Sequence, residues 1–265
     1  EEADVFPCII VAEKPTGEAK PKTARLCTIP REQLRINDLT VQIDQEGADI
    51  DVEQLNAEAW QLEQSEVMAL LARLRSTGVT LATFVGSNPI YGLKTGCNEA
   101  FFVPDEKKQH LVKADPTCAD LFVRYYRGQD VKRWESEWTG EWLISLRSSN
   151  EKIWPWTGQD NAEEFFEKNY PSLFVHMSSN RDALNDRKNA SRYWWELSGF
   201  KAWEVFTKPK LVYQEIQFHS AYALEADGII SNNKTFILPT GDLYVLAVLN
   251  SPLMWWHNWR YLPHM

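Results

Sequence analysis

The chain has 265 residues and a formal net charge of −9 at pH 7, and 44% of its residues are hydrophobic, with 12 tryptophans among them. This is enough apolar material for a packed core, which excludes an intrinsically disordered protein. No apolar run approaches the roughly 20 residues that cross a bilayer, and the first residues are acidic where a signal peptide would be basic, so we expect a soluble, cytoplasmic protein. The four cysteines, Cys8, Cys27, Cys97 and Cys118, are too widely spaced to predict a disulfide framework or a metal site.

The first 78 residues predict two short strands and a helix. An apolar run within Asp4–Lys14 and a second run at Ala24–Ile29 are joined by a polar turn, which predicts a hairpin. Between Asp51 and Arg75 the apolar residues fall mostly on one helical face, with Asp51 as the N-cap and Gly78 as the stop. The pattern leaves open whether this helix joins two domains or packs on the domain that follows it.

Beyond Gly78, strands and helices are mixed without strict alternation. Strands are predicted at Ala100–Val103, Trp142–Leu146, Lys210–Ile216 and Thr235–Pro239. Helices are predicted at Asp105–Ala114, Asn161–Met177 and Gly241–Trp256. Such a mixture predicts the α+β fold class.

The segment GLKTG has the composition of an anion-binding turn. Gly92 and Gly96 bracket Lys94 and Thr95, so the backbone can turn tightly and expose its amides while the lysine reaches an anion. The same residues are compatible with an ordinary turn between strands that carries a solvated lysine, and two glycines alone do not separate the two interpretations.

The segment RYYRGQDVKRW, from Arg124 to Trp134, concentrates four cations among three aromatic residues. This mixture suits contacts with phosphates, because guanidinium groups bind them bidentately and aromatic rings support the guanidinium plane. Arg127 can instead pair with Asp130 across the turn at Gly128, which would make the segment a structural clamp.

The two segments together carry a family resemblance. Tyr91–Val103, which reads YGLKTGCNEAFFV, and Arg124–Trp134 resemble the signature of the C-terminal specificity, or target-recognition, domain of TaqI-like DNA adenine-N6 methyltransferases. The same domain occurs in the type IIG restriction-modification enzymes and BREX-type methyltransferases related to them. Further blocks that resemble the family follow in the same order: Tyr170–Met177, Arg192–Leu197, Phe206–Ile216 and Leu243–Trp256.

The resemblance implies a mixed α/β target-recognition domain at residues 79–265. Before it would come the last β-hairpin of a Rossmann-like methyltransferase domain at residues 1–30 and a helical connector at residues 31–78. The complete phage-defence or restriction-modification enzyme, with or without a fused endonuclease, would flip an adenine out of the duplex and methylate N6 with S-adenosylmethionine. The expected partners are double-stranded DNA and the upstream methyltransferase domain of the same polypeptide.

No catalytic residue, cofactor or metal is expected within the chain itself. Asn88–Tyr91 resembles the NPPY tetrapeptide of adenine methyltransferases, but the second proline is missing and no Gly-rich strand-loop-helix precedes it. We interpret this tetrapeptide as a coincidence.

Family members that share these blocks recognise different DNA sequences, so the blocks are expected to supply the scaffold and the contacts with the DNA backbone. These predicted backbone contacts are Lys94, Thr95, Arg124, Arg127, Lys132, Arg133 and Lys208. Bases are expected to be read between the blocks, since arginine suits guanine while asparagine and glutamine suit adenine. The main candidates form a polar loop after Met177, namely Asn180, Arg181, Asn185, Arg187, Lys188 and Asn189. Further candidates are Arg147, Gln214 and Gln217, with Lys152, Asn232 and Asn233 as secondary ones.

The net charge argues against nucleic acid, because duplex binding draws much of its affinity from neutralised phosphates. However, residues 1–75 carry 15 acids and 8 bases, which leaves 22 acids and 20 bases for the rest of the chain. The alternative function is a protein-interaction module of a defence complex, whose acidic, Trp-rich surface binds another subunit or an inhibitor that mimics DNA. The tryptophans at positions 194, 195, 255, 256 and 259 are predicted to pack in the core.

Overall fold

The computed structural model describes residues 9–12, 21–29, 33, 35–55, 60, 62 and 65–261. The chain divides into two compact units, Glu1–Val79 and Thr80–Met265. Within the described residues, no helix has both the length and the apolar composition needed to span a membrane.

The described part of the first unit contains a small antiparallel sheet. Strand β1 (Thr23–Leu26) pairs with β2 (Ala48–Asp51), and helix α1 (Leu39–Glu46) lies between them in the chain. Asp38 begins α1 because its carboxylate accepts a hydrogen bond of 3.1 Å from the backbone N–H of Val41, which otherwise has no partner within the helix.

The predictions for the first unit are confirmed in part. A strand, β1, does form at the start of the run predicted at Ala24–Ile29, but the partner seen for it is β2. Of the partner predicted at Asp4–Lys14 only residues 9–12 are described, and they are not in a strand. The helix predicted after Asp51 begins later, as α2 (Ser65–Thr77), whereas Asp51 caps a short 3₁₀ turn, Val52–Gln54. The assignment of residues 1–30 to a methyltransferase domain stays a prediction.

The second unit mixes helices and strands, which confirms the α+β fold class. Its first elements are α3 (Leu81–Val85), β3 (Ile90–Tyr91), α4 (Asn98–Phe101), β4 (Phe102–Pro104), α5 (Asp105–Ala114), β5 (Phe122–Tyr126), β6 (Trp134–Glu135) and β7 (Glu141–Ile144). They are followed by α6 (Ala162–Asn169), α7 (Pro171–Ser178), α8 (Arg181–Asn185), β8 (Lys210–Gln214), β9 (Tyr222–Glu225), β10 (Ile230–Ser231), β11 (Thr235–Leu238), α9 (Leu243–Leu249) and α10 (Pro252–Tyr261).

The strands of the second unit form two sheets in the order β10-β5-β7-β4 and β3-β11-β8-β9-β6. Neighbouring strands are antiparallel except for β10 with β5 and β6 with β9, which run parallel. The core is aromatic: Trp156, Phe166 and Trp195 are buried, and the rings of Phe166 and Trp195 stack with centroids 5.0 Å apart. Trp195 therefore packs as predicted, whereas Trp259 is partly exposed.

Prolines explain two differences between predicted and observed helices. The helix expected over Asn161–Met177 is divided into α6 and α7 because Pro171 has no N–H to continue α6, and it serves instead as the first residue of α7. In the same way Pro252 begins α10 after α9 has ended. The prediction at Asp105–Ala114 is confirmed, and α5 has the same bounds.

Candidate functional site

Four loops of the second unit meet at one end of its sheets. At this end β3 and β8 finish and β11, β9 and β6 begin, as their order and directions require. In the other sheet β5 and β10 run parallel and finish side by side at the same place. We call this region the loop surface and define it by the segments Gly92–Gly96, Arg127–Trp134, Glu215–Ala221 and Asn232–Lys234.

The GLKTG segment is held against the turn between β10 and β11. Backbone N–H groups of Gly92 and Leu93 donate to Thr235 O and Ser231 O, at 3.0 and 2.8 Å. A Cβ atom at Gly92 would lie 2.1 Å from Asn232 O, so only glycine permits this approach. A cleft of about 400 Å³ remains between Lys94–Glu99 and Asn232–Lys234.

The RYYRGQD segment is fastened to the same turn. Asp130 is buried and accepts hydrogen bonds from the backbone N–H and the Nε of Arg127, at 2.8 and 3.5 Å. A Cβ atom at Gly128 would lie 2.9 Å from Lys234 O, which shows how closely the two turns approach. The clamp between Arg127 and Asp130 thus exists, and it brings the Arg127 side chain, still 45% exposed, to the loop surface.

Tyr125 is buried near the end of β5, directly before the turn of the RYYRGQD segment. Burial raises the pKa of its hydroxyl strongly, while the charge of Arg127 and a hydrogen bond with the Asn232 side chain act in the opposite direction. Tyr125 is therefore buried close to both Arg127 and Asn232, at the base of the two turns.

The loop surface is basic although the chain as a whole is acidic. Its four segments contain five lysines and arginines and two acids, Asp130 and Glu215, which gives a net charge of +3 in a chain of net charge −9. Both acids are already paired, Asp130 with Arg127 and Glu215 with Lys234. Within the described part of the chain, no carboxylate lies at ion-pair distance from Lys94, Lys132 or Arg133. Lys132 donates to Gln129 O at 2.5 Å and Arg133 donates to Asn250 O at 2.7 Å, so both keep their full charge and are exposed. Exposed cations without a carboxylate partner can bind phosphates.

Amide side chains accompany these cations. Gln214, at the end of β8, donates to Val131 O at 3.2 Å, and Gln217 accepts from the backbone N–H of Ala221 at 3.2 Å. Asn232 and Asn233 are partly exposed on the neighbouring turn. Amide groups have both donors and acceptors, so they can form paired hydrogen bonds with the edge of a base.

Arg187, predicted to read a base, has a structural position instead. Only 8% of the residue is exposed, and its guanidinium group donates to the carbonyls of Leu184, Thr95, Glu196 and Trp194 at 2.7–3.3 Å. Burial lowers the pKa of this group, although the neighbouring Cys97 and Glu196 raise it. The prediction for Arg187 is corrected because its donors are used within the fold. Thr95 is buried too, so its side chain does not reach the surface.

The rest of the polar loop after Met177 consists of the short helix α8, whose Arg181 and Asp182 balance in charge, and the residues on either side of it. Arg181 forms a bidentate pair with Glu163, at 2.7 and 2.8 Å, while Asn180 donates to His176 O. Asn185 borders a second cleft, which is also lined by Asp160 and Glu163. Lys188 and Asn189 are exposed. Arg181 and Asn185 therefore lie beside carboxylates. Glu99 likewise lines the cleft next to Lys94.

Three further predicted residues lie away from the loop surface. Arg124 is partly buried, with its guanidinium carbon 6.0 Å from the centroid of the Trp138 ring. Arg147 follows β7, and its guanidinium carbon lies 4.1 Å from the centroid of the Trp203 ring. Lys208 precedes β8. Both residues therefore lie at the end of the sheets that is opposite to the loop surface.

Sequence reasoning missed three residues of the loop surface: Trp134 as an exposed side chain, Phe218 and Lys234. Trp134 is the one non-glycine among the described residues with a positive φ, of 81°. Lys234 follows Asn232 and Asn233 directly, so its presence in the same polar turn was a usable signal. No group of three or more His, Cys, Asp or Glu side chains in the described ranges could hold a metal ion.

A mixed α+β domain that presents exposed cations and amide groups on converging loops has the chemistry of a nucleic-acid-binding module. Residues 123–264, more than half of the chain, match the model of the TaqI-like C-terminal specificity domain. The chain belongs to this family. Among solved structures it is similar to the type IIL restriction-modification enzyme MmeI in complex with DNA, at 15% identity and a TM-score of 0.45, over 63% of this chain. It spans only 21% of the MmeI chain. No curated protein matches it.

Proposed function

We propose that this chain recognises double-stranded DNA and is the specificity part of a site-specific DNA-modifying enzyme. The observation that supports this most directly is the loop surface, with a net charge of +3 in a chain of −9. Its cations and amides come from segments that are distant in sequence and adjacent in the fold. This sorting of charge matters because the overall net charge would otherwise disfavour a polyanionic partner.

In the proposed complex the cations bind phosphates and the amides read bases. Lys94, Lys132 and Arg133 have no competing carboxylate among the described residues, so their charge is available to the DNA backbone. Gln214 and Gln217 lie between these cations on the end of β8 and in the loop that follows it. Glutamine can form two hydrogen bonds with the N6 and N7 atoms of adenine in the major groove. To do so, Gln214 would exchange its bond to Val131 O, and Gln217 its bonds to Gln214 O and the Ala221 N–H, for bonds to a base.

The chemistry of the complete enzyme remains part of the proposal and rests on the family resemblance. There, S-adenosylmethionine would supply a methyl group for the N6 atom of an adenine, in a methyltransferase domain of the same polypeptide. An endonuclease can be joined to such a domain in restriction-modification and phage-defence enzymes. The part proposed for the present chain is to select the site and hold the duplex.

Charge reversal on the loop surface tests the proposal. Lys94→Glu and Lys132→Glu are each expected to weaken binding to all duplexes, and the slope of log K against log salt should become shallower by about 0.9 for each phosphate that the protein no longer neutralises. Lys208→Glu, which alters another exposed lysine beside the opposite end of β8, is the matched control and should change little. The measurement is fluorescence anisotropy of a labelled duplex of about 30 base pairs over a series of salt concentrations, with circular dichroism to verify folding.

Base reading requires a separate measurement. Gln214→Ala and Gln217→Ala should change which sequences are enriched from a randomised duplex pool while leaving the salt slope unchanged, since neither side chain carries a charge. An unchanged set of enriched sequences would remove the two glutamines from the proposal. If Lys208→Glu weakened binding as much as Lys94→Glu, the loop surface would not be the DNA site.

One observation supports protein binding as a second function. Leu243, Tyr244 and Phe84 are more than half exposed, and the last two rings lie 6.4 Å apart between their centroids, on α9 and α3. An exposed apolar group of this kind is typical of protein contacts. Phe84→Ser with Tyr244→Ser should leave DNA affinity unchanged and, if a subunit or DNA-mimic inhibitor binds there, abolish that association in size-exclusion chromatography.

A further inference from the structure

The loop between β8 and β9 carries a phenylalanine in solvent. Phe218 is 83% exposed, whereas Ser220, two residues later, is buried. Placing a large apolar ring in water is unfavourable by about 1.5–3 kcal/mol relative to burying it. A single exposed apolar side chain is common on protein surfaces, so exposure alone does not assign a role to Phe218.

The loop is fastened on both sides of this residue. Before it, the Glu215 N–H donates to Lys234 O at 3.0 Å, and the Gln217 side chain donates to Gln214 O at 3.4 Å. After it, the Ala221 N–H donates to the Gln217 side chain, and the Ser220 hydroxyl donates to Leu249 O at 3.3 Å. Phe218 therefore lies at the tip of a loop whose flanks are held, so ordering this tip against a partner costs little further conformational entropy.

The surroundings of this tip favour a nucleic-acid partner. Lys234 and Gln214, which anchor the loop, belong to or adjoin the loop surface, and the exposed cations Lys132 and Arg133 precede the sheet edge next to β9. Ile216, at 49% exposure, adds a second apolar side chain two positions before Phe218. The exposed apolar side chains of the loop surface, which include Trp134 at 44% exposure, are interspersed with its cations and amides. This mixture suits a nucleic acid better than it suits a protein partner, which would favour a continuous apolar patch.

We propose that Phe218 is a wedge that enters between two stacked base pairs when the loop surface binds a duplex. The proposal rests on the function proposed above and adds a residue-specific mechanism to it. An inserted phenyl ring gives up its exposure to water and contacts the faces of the bases, while the cations on either side hold the phosphates of the opened step. Unstacking a step is unfavourable, so the wedge makes affinity depend on how easily the DNA step opens.

A duplex with a mismatch separates the wedge from simple charge attraction. The probes are a fully paired duplex of about 30 base pairs and the same duplex with one central mismatch, whose step is already partly unstacked. The full chain should bind the mismatched duplex about 10-fold more tightly than the fully paired duplex, because less of its central step remains to be unstacked. Phe218→Ala should bind the two duplexes equally, and Phe218→Leu should retain part of the preference because leucine can also act as a wedge.

Ile153→Ala is the matched control, because Ile153 is 88% exposed and follows β7, outside the loop surface. This variant should keep the preference of the unaltered chain. The wedge is refuted if Phe218→Ala keeps the full preference, or if the unaltered chain binds both duplexes equally. Either result leaves the proposed function intact, provided that Lys94→Glu still weakens binding. Failure of the unaltered chain to bind any duplex refutes both proposals together.

Discussion

Arg187 is expected to matter for stability and not for DNA affinity. We predict that Arg187→Met unfolds at a lower temperature than the unaltered chain, since methionine keeps the aliphatic part of the side chain and removes the guanidinium group. The aliphatic part also has a role: a Cβ atom at Gly96 would lie 2.9 Å from Arg187 Cδ, so the GLKTG turn packs directly on it. The position thus couples α8 to the turn that carries Lys94.

The expected loss of stability in Arg187→Met follows from the hydrogen bonds of the guanidinium group. The guanidinium donates to four carbonyl oxygens, three of them from residues that are themselves buried. At about 1 kcal/mol for each net hydrogen bond, losing all four costs about 4 kcal/mol. The gain from no longer burying a cation offsets part of this, so we expect about 3 kcal/mol, or a fall of roughly 10 °C in Tm for a domain of this size.

The assay is thermal unfolding followed by circular dichroism, with duplex affinity measured at a temperature where both proteins are folded. Lys188→Met is the matched control, because Lys188 is the adjacent residue and is exposed. Its Tm should be unchanged within about 2 °C. If Arg187→Met kept its Tm and lost affinity for DNA, Arg187 would be a DNA contact and the structural interpretation would be refuted.

Three further predictions concern buried groups. Lys210→Met should lower stability by about 3–5 kcal/mol in chemical unfolding, because it leaves the buried carboxylate of its ion-pair partner Glu225 without a cation; an unchanged midpoint would contradict this. Burial lowers the pKa of His176 below its ordinary value, so the unfolded chain binds the proton more readily, and stability should fall as pH drops below about 6.5; His176→Gln should flatten that dependence. Burial also raises the pKa of Cys118, which makes its thiol less reactive. In a Cys8→Ser variant, a thiol reagent should therefore modify the partly exposed Cys27 long before Cys118. Equal rates of modification would contradict the burial of Cys118.

Local signals in the sequence predicted much of the secondary structure. Asp105 and Glu106 at the start of α5, with Lys113 near its end, complement the helix dipole, and the bounds predicted for this helix are those observed. Strands β8 and β11 lie within predicted runs of β-branched and apolar residues. The division at Pro171 was readable from the missing N–H, but the apolar periodicity on both sides obscured it.

The pairing of strands was harder to predict from the sequence than their positions. The sequence predicts that the run at Ala24–Ile29 pairs with the run before it, because consecutive strands often form hairpins. The structure pairs β1 with β2 across α1. A strand pairs through its backbone N–H and C=O groups, which are the same for every possible partner. Which strand becomes the partner therefore depends on the whole fold and not on the strand's own residues.

For the site, residue patterns were enough to identify the family and the two segments that carry four of the five cations of the loop surface. They could not determine that Arg187 is buried while Lys234 and Phe218 are exposed, because exposure depends on which segments pack together. Residues 92–96, 127–134, 215–221 and 232–234 are far apart in the chain and meet only because β3, β11, β8, β9 and β6 are adjacent in that order. The kind of chemistry is written in residue types, whereas its assembly into one surface is a consequence of strand order, which no local pattern encodes.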